Sequence, residues 1–124
     1  MKFLLDSNII IEAIDGTSET LRRRLAQCDA DDLVTSAIVY AEVAHGSMNG
    51  KPPPLNVLDA FLEDILVLPF DQVAGRKYSS LGFLRASYDR LIAAHALSLG
   101  LMVVTGNTRH FTNVPGLAVE NWMT

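Results

Sequence analysis

The sequence predicts an α/β fold: a central, mainly parallel sheet flanked by helices in three layers. Three observations predict it. Short apolar runs alternate with longer stretches of helical periodicity along the 124 residues. Several of the runs, FLL and LMVV among them, are continuously apolar rather than alternating, which marks strands buried on both faces. Cap residues and helix breakers punctuate the junctions between the two kinds of segment.

KFLLD is the first strand. Ser7 offers an N-cap for a helix through NIIIEAI, and Gly16 closes it. TSETLRRRLAQC is a second helix, with Leu21 and Leu25 on one face and Arg22, Arg23 and Arg24 on solvated ones. LVT is a short strand, and Ser36 after it caps a helix through AIVYAEVAHGSMN. The three prolines of GKPPP stop that helix. The spacing of Leu55, Leu58, Phe61, Leu62 and Ile65 predicts a helix over 55–65. LVLPF is the third strand, and Asp71 caps a helix predicted to run to Leu84. SYDRLIAAHALSLG is the last long helix, closed by Gly100. LMVVT is the fourth strand, NTRHF a turn or short helix, and LAVENW an edge strand. With no internal repeat, residues 1–124 read as a single domain.

Composition narrows the function classes. Nearly half of the residues are hydrophobic, enough for one sizeable core. A formal charge of -4 is not the footprint of a general nucleic-acid binder, although it leaves room for a local basic face. The single cysteine, Cys28, excludes an internal disulfide and a multi-cysteine zinc site, and reads as a buried structural thiol. Asp6 falls where a signal peptide would have its apolar core. The most apolar region, LIAAHALSLGLMVV, is too short and too broken to span a bilayer. The default expectation is a cytoplasmic protein without a membrane anchor.

Ligands of open α/β sheets bind beyond the carboxyl ends of the strands. The pattern places Asp6 after the first strand, Thr35 and Ser36 after the second, Asp71 after the third, and Thr105, Gly106 and Asn107 after the fourth. Glu42 lies about two turns into its helix, within reach of the same edge, and Asp89 opens the helix leading to LMVVT. Each acid has a structural explanation of its own, since Asp is a favoured N-cap and benefits from the helix dipole. Asp6 is the hardest to explain so, because apolar residues flank it on both sides and an ionised group there is costly without compensation. If Asp6, Glu42 and Asp89 converge, each like-charge pair at about 4 Å costs on the order of 4 kcal/mol at an effective dielectric of 20. A divalent cation would relieve that repulsion. All-oxygen ligands favour hard ions such as Mg²⁺ or Mn²⁺, which suit phosphodiester hydrolysis because they acidify a bound water and stabilise charge on the phosphate.

The segments LLDSNIII, SAIVYAEVAHG, DRLIAAHALSLG and VVTGNTRHF, with VPGLAVENW after the last, resemble in order the motifs of PIN-domain ribonucleases, specifically the VapC type of toxin. The resemblance spans essentially the whole chain. It implies a PIN-like α/β/α fold and Mg²⁺- or Mn²⁺-dependent endoribonuclease activity as the toxin of a toxin–antitoxin pair. It implies that Asp6, Glu42 and Asp89 are catalytic and bind the metal, with Asn107 acting through a water. Asn8 and Thr105 would orient the acids by hydrogen bonds. Asp71 is only a helix start by the same resemblance. One departure stands out: SSLGFLRASYDR, before Asp89, is more compact than the loop that many relatives carry there.

The resemblance also implies an RNA substrate, whether tRNA, rRNA or mRNA. It implies a VapB-type antitoxin partner whose tail covers the acidic groove, and a homodimer for which Tyr40 or Phe83 would offer apolar surface. Arg85, Arg90 and Arg109 lie close in sequence to the acids and are candidate phosphate contacts, or else ordinary surface arginines. His95 reads as a packed histidine, and His110 has no assigned role. The alternative reading is a non-catalytic PIN-like module that binds RNA or protein. A phosphoryl-accepting receiver or a haloacid-type phosphatase fits less well. Asn8 stands where such a phosphatase needs a second Asp, and no lysine follows Lys77 for a receiver.

Overall fold

The computed structural model describes residues 1–124. Five strands form one sheet: β1 (Phe3–Leu5), β2 (Leu33–Ser36), β3 (Leu66–Leu68), β4 (Met102–Val104) and β5 (Val119–Glu120). Their order is β3-β2-β1-β4-β5, and every pairing is parallel. The helices are α1 (Ser7–Asp15), α2 (Glu19–Ala26), α3 (Ala37–Met48), α4 (Leu55–Phe61), α5 (Gln72–Ser80) and α6 (Tyr88–Leu99). None is long and apolar enough to cross a membrane.

The topology explains the continuous apolar runs. β1 sits at the centre of the sheet, with Leu4 and Leu5 fully buried. The chain steps outward from β1 to β2 and β3, then returns across β1 to β4. Right-handed crossovers therefore put α1–α4 on one face and α5 and α6 on the other. In keeping with this, α1 packs on α2, α3 and α4, while α5 packs on α6. The core runs through both layers: Ile9, Ile10, Leu21, Val39 and Leu58 from the first, Ile92, Ala93 and Ala96 from the second. The reversal of direction lies between β1 and β4, and a crevice opens beyond their carboxyl ends at such a switch point.

Several boundaries differ from the sequence reading. Asp6, not Ser7, is the N-cap of α1, its carboxylate accepting the Ser7 N–H. Ser87, not Asp89, caps α6 by accepting the Arg90 N–H. The helix predicted over 55–65 ends at Phe61 and tightens into a 3-10 turn over Leu62–Asp64, which delivers the chain to β3. The helix predicted to reach Leu84 ends at Ser80, because Gly82 turns the chain with φ of +69°. NTRHF contributes a 3-10 turn over Thr108–Phe111. Asp71 caps α5 as read, accepting the Ala74 N–H at 3.0 Å. Gly16 and Gly100 end α1 and α6 in the left-handed conformation that favours glycine.

The surface also departs from the sequence reading at three places. Arg24 is not simply solvated: it pairs with Glu120 at 3.1 Å and lies over the Trp122 ring. Tyr40 is half-buried, its hydroxyl donating to Asp59 at 2.7 Å. Phe83 is half-buried against Tyr78, and the fully exposed neighbour is Leu84.

Candidate active site

Asp6 follows β1 directly, and its side chain is almost wholly buried. One carboxylate oxygen accepts the Ser7 N–H at 2.8 Å, and the other accepts the Thr105 hydroxyl at 2.8 Å. Burial dominates its protonation and pushes the pKa up to about 6. The hydrogen bonds from Thr105 and Ser7 oppose that rise, and the charges of Asp89 and Glu42 add to it. The residue is thus a desolvated carboxylate within the field of two others.

Thr105, just past β4, is also buried. Its hydroxyl donates to Asp6 and accepts from the Asn8 side-chain amide at 3.3 Å and the Asn107 N–H at 3.0 Å. The Asn8 side-chain oxygen accepts the Gly106 N–H at 2.8 Å. These bonds stitch the start of α1 to the loop after β4, across the switch point. Asn8 and Thr105 therefore lock the strand end on which Asp6 sits.

Glu42 projects from the sixth position of α3 and accepts a hydrogen bond from the Ser7 hydroxyl. Ser7 thereby bridges two acids, its N–H on Asp6 and its hydroxyl on Glu42. Asp89 stands at the second position of α6, with one carboxylate oxygen 2.9 Å from Nδ1 of His110. Asp6, Asn8, Glu42, Asp89 and Asn107 all line one open cleft of about 430 Å³, together with Ser7 and His110. Thr105 lies behind this wall.

Sequence reasoning left two participants out. The sequence marks Ser7 as a cap only and gives His110 no role. Their partners lie 35 residues away for Ser7 and 21 for His110, so only the fold discloses them. The single local signal was proximity: Ser7 adjoins Asp6, and His110 follows Asn107 by three residues.

Two features of the cleft bear on the expected roles. The three acids share a cleft, but no three His, Asp or Glu side chains stand close enough together to hold one ion as they are placed. As placed, Glu42 accepts from the Ser7 hydroxyl and Asp89 pairs with His110. The donor set remains all-oxygen with Asp6, Glu42, Asp89 and Asn107, which fits a hard divalent cation and no soft one. Arg85, Arg90 and Arg109 do not line the cleft. Arg90 instead donates to the Arg85 carbonyl and lies over the Phe83 ring. The basic side chains that do line it are Lys51, His45 and His110.

Comparison with known proteins agrees with this arrangement. The PIN domain family matches residues 3–117. The tRNA(fMet)-specific endonuclease VapC of Salmonella typhimurium is 33% identical, with 98% of each chain covered. Ribonuclease VapC2 of Haemophilus influenzae is 31% identical, with 99% of each covered. The structure of DNA-bound VapBC from Salmonella typhimurium superposes with a TM-score of 0.86 at 32% identity, covering 98% of both chains. That of VapBC2 from Rickettsia felis bound to a promoter DNA fragment gives 0.85 at 28% identity, covering 98% of this chain and 99% of that one. The parallel sheet, the acids at its switch point and these similarities agree: the chain belongs to the PIN-domain family, as a VapC-type member.

Proposed function

We propose that the chain is a divalent-metal-dependent endoribonuclease and the toxin of a toxin–antitoxin pair. The observation that carries the reading is Asp6: a buried carboxylate, held in place from two sides, facing Glu42 and Asp89 across one cleft. A fold maintains such an arrangement at a cost in stability, and a metal-dependent hydrolase has a use for it.

Asp6, Glu42 and Asp89 would hold a Mg²⁺ or Mn²⁺ ion, with Asn107 contributing through a water. When bound, the ion supplies a Lewis acid for the phosphate and an acidified water as nucleophile. The rest is the work of the protein. Ser7 N–H and Thr105 fix the rotamer of Asp6, so one carboxylate is aimed before any ligand arrives. Asn8 holds Thr105 and Gly106 in register with α1. The Ser7 hydroxyl and the His110 ring steady Glu42 and Asp89 while the cleft carries no cation.

Two of the curated relatives carry the name tRNA(fMet)-specific endonuclease, so initiator tRNA is the first substrate to try. Several solved relatives are VapBC complexes, two of them bound to DNA. By analogy, the partner here is a VapB-type antitoxin; a tail covering the acidic cleft and a homodimeric assembly follow from the family resemblance alone.

The decisive experiment is incubation of wild type and Asp6→Asn with initiator tRNA and total RNA in Mn²⁺, followed by mapping of the cut ends. Cleavage by wild type at defined sites, lost by at least about a hundredfold in the variant, is the expected result. Equal cleavage by the variant refutes the metal mechanism. RNA binding without cleavage by wild type would favour the non-catalytic module instead.

A further inference from the structure

A cleft with three carboxylates repels the polyanion it is proposed to cut. Something on its walls must offset that repulsion, and the arginines nearest in sequence do not line it. Lys51 does, as the sole lysine or arginine among the lining residues. We propose that Lys51 and Tyr88 form a two-part substrate subsite flanking the acids, Lys51 for an RNA phosphate and Tyr88 for an unstacked base. This rests on the endoribonuclease reading above.

Lys51 is positioned by the backbone rather than left loose on the surface. Its N–H donates to the Gly46 carbonyl at 2.9 Å, and the Ser47 hydroxyl donates to the Pro53 carbonyl at 2.6 Å. The segment 49–54 is thereby strapped to the end of α3, and the prolines after Lys51 limit its freedom further. The lysine stem lies against Gly46, where an added Cβ would meet its Cβ and Cδ at 3.7 and 3.8 Å. Gly46 is four residues beyond Glu42, hence on the same face of α3 and one turn along. The Lys51 stem therefore runs on the wall that carries Glu42. No acid pairs with its ammonium within 4.0 Å, so the charge is available to a ligand.

Tyr88 opens α6 beside Asp89 and lines the cleft with 44% of its surface exposed. An accessible aromatic ring and a cation that line the same cleft as a reaction centre are the combination used for single-stranded RNA: bases stack on the ring while the cation takes the backbone. A paired helix presents no free base face to such a ring. The subsite thus selects unpaired nucleotides, in a loop or a strand end, with the scissile phosphate between the two walls.

The test uses the full chain and four variants: Lys51→Gln, Lys51→Arg, Tyr88→Ala and Tyr88→Phe. Cleavage of initiator tRNA in Mn²⁺ gives KM and kcat. Fluorescence anisotropy with a labelled short oligouridylate, in EDTA and over a salt series, gives affinity without turnover. Lys51→Gln should raise KM about three- to tenfold at near-constant kcat and lower the salt slope of binding by about 0.7. Lys51→Arg should restore both. Tyr88→Ala should weaken oligouridylate binding about tenfold, with Tyr88→Phe near wild type. Unchanged KM and salt slope in Lys51→Gln, with wild type active, overturn the subsite alone. So does a KM change that comes only with a lowered melting temperature and no rescue by arginine. Wild type that neither binds nor cuts RNA overturns the subsite and the nuclease reading together.

Discussion

Asp6 makes a separate thermodynamic prediction from its burial. Its pKa is about 6 in the folded chain against 3.8 for a free side chain. Between those values the folded state holds more protons than the unfolded one, so stability falls as pH rises. The full penalty, about 3 kcal/mol, is present above pH 6 and absent below the free value. His95 acts in the opposite sense. Burial lowers its pKa against the raising influence of Asp71 and the Pro69 carbonyl, so its contribution is lost as pH falls from its free value. The raw pH curve of the metal-free protein mixes the two. Subtracting the curve of Asp6→Asn, measured by urea unfolding, isolates the first: the wild-type deficit should grow between about pH 4 and 6 and then level off. A flat difference would mean that Asp6 is not desolvated. Residue identity made the acids legible before the fold was known, since carboxylates among apolar residues need a reason. Of their partners, Thr105 is expected through the family resemblance and does donate to Asp6, whereas Ser7 and His110 are not legible as partners. The bond from Ser7 to Glu42 joins segments 35 residues apart, the pair of His110 with Asp89 likewise joins separate segments, and nothing local in the sequence records either.

Strands and helices were readable where one periodicity governed a whole segment, as in α6 or β4. They were misread where apolar residues continued past the end of an element. Phe83 and Leu84 extend the pattern of α5, but Gly82 has already turned the chain. Phe61, Leu62 and Ile65 keep helical spacing through a 3-10 turn, whose tighter repeat resembles a helix over so few residues. One contact between elements matters for the site. The Ser36 hydroxyl caps α3 through the Ile38 N–H at 3.0 Å and meets Nδ1 of His95 at 2.7 Å. His95 lies on α6, so one buried serine joins the helix of Glu42 to the helix of Asp89. Ser36→Ala removes the cap and leaves His95 without this partner. It should lower stability by about 2 kcal/mol, read as a shift in the urea midpoint at unchanged slope.

For the molecule as a whole, the acids share one cleft, and a bound cation would offset the cost of keeping Asp6 ionised where it is buried. Millimolar Mn²⁺ should therefore raise the melting temperature of wild type. At a hundred times Kd the linkage is about 2.7 kcal/mol, several degrees for a chain of this size. Asp6→Asn should lose most of the shift, and no shift in wild type would argue against a shared metal site. The whole fold was the most legible scale of all. Alternation of apolar runs with helices fixes a parallel sheet, and a parallel sheet fixes where its ligands sit. Sequence alone could not show how tightly the acids gather, because that depends on partners such as His110 that compete for them.

Residues 119–123 are tied to this same site. Glu120 accepts the Thr105 N–H at 3.0 Å, Trp122 is buried edge-on against Phe3, and the Met123 methyl occupies the space where a Cβ on Gly106 would be. These residues thus brace the turn that holds Asp6. In cells forced to express the chain without a protective partner, genetic suppressors should arise at two distant places in the reading frame. One set would alter the acid codons. The other would be missense changes at Trp122 and its neighbours, where losing that side chain loosens the turn without touching an acid.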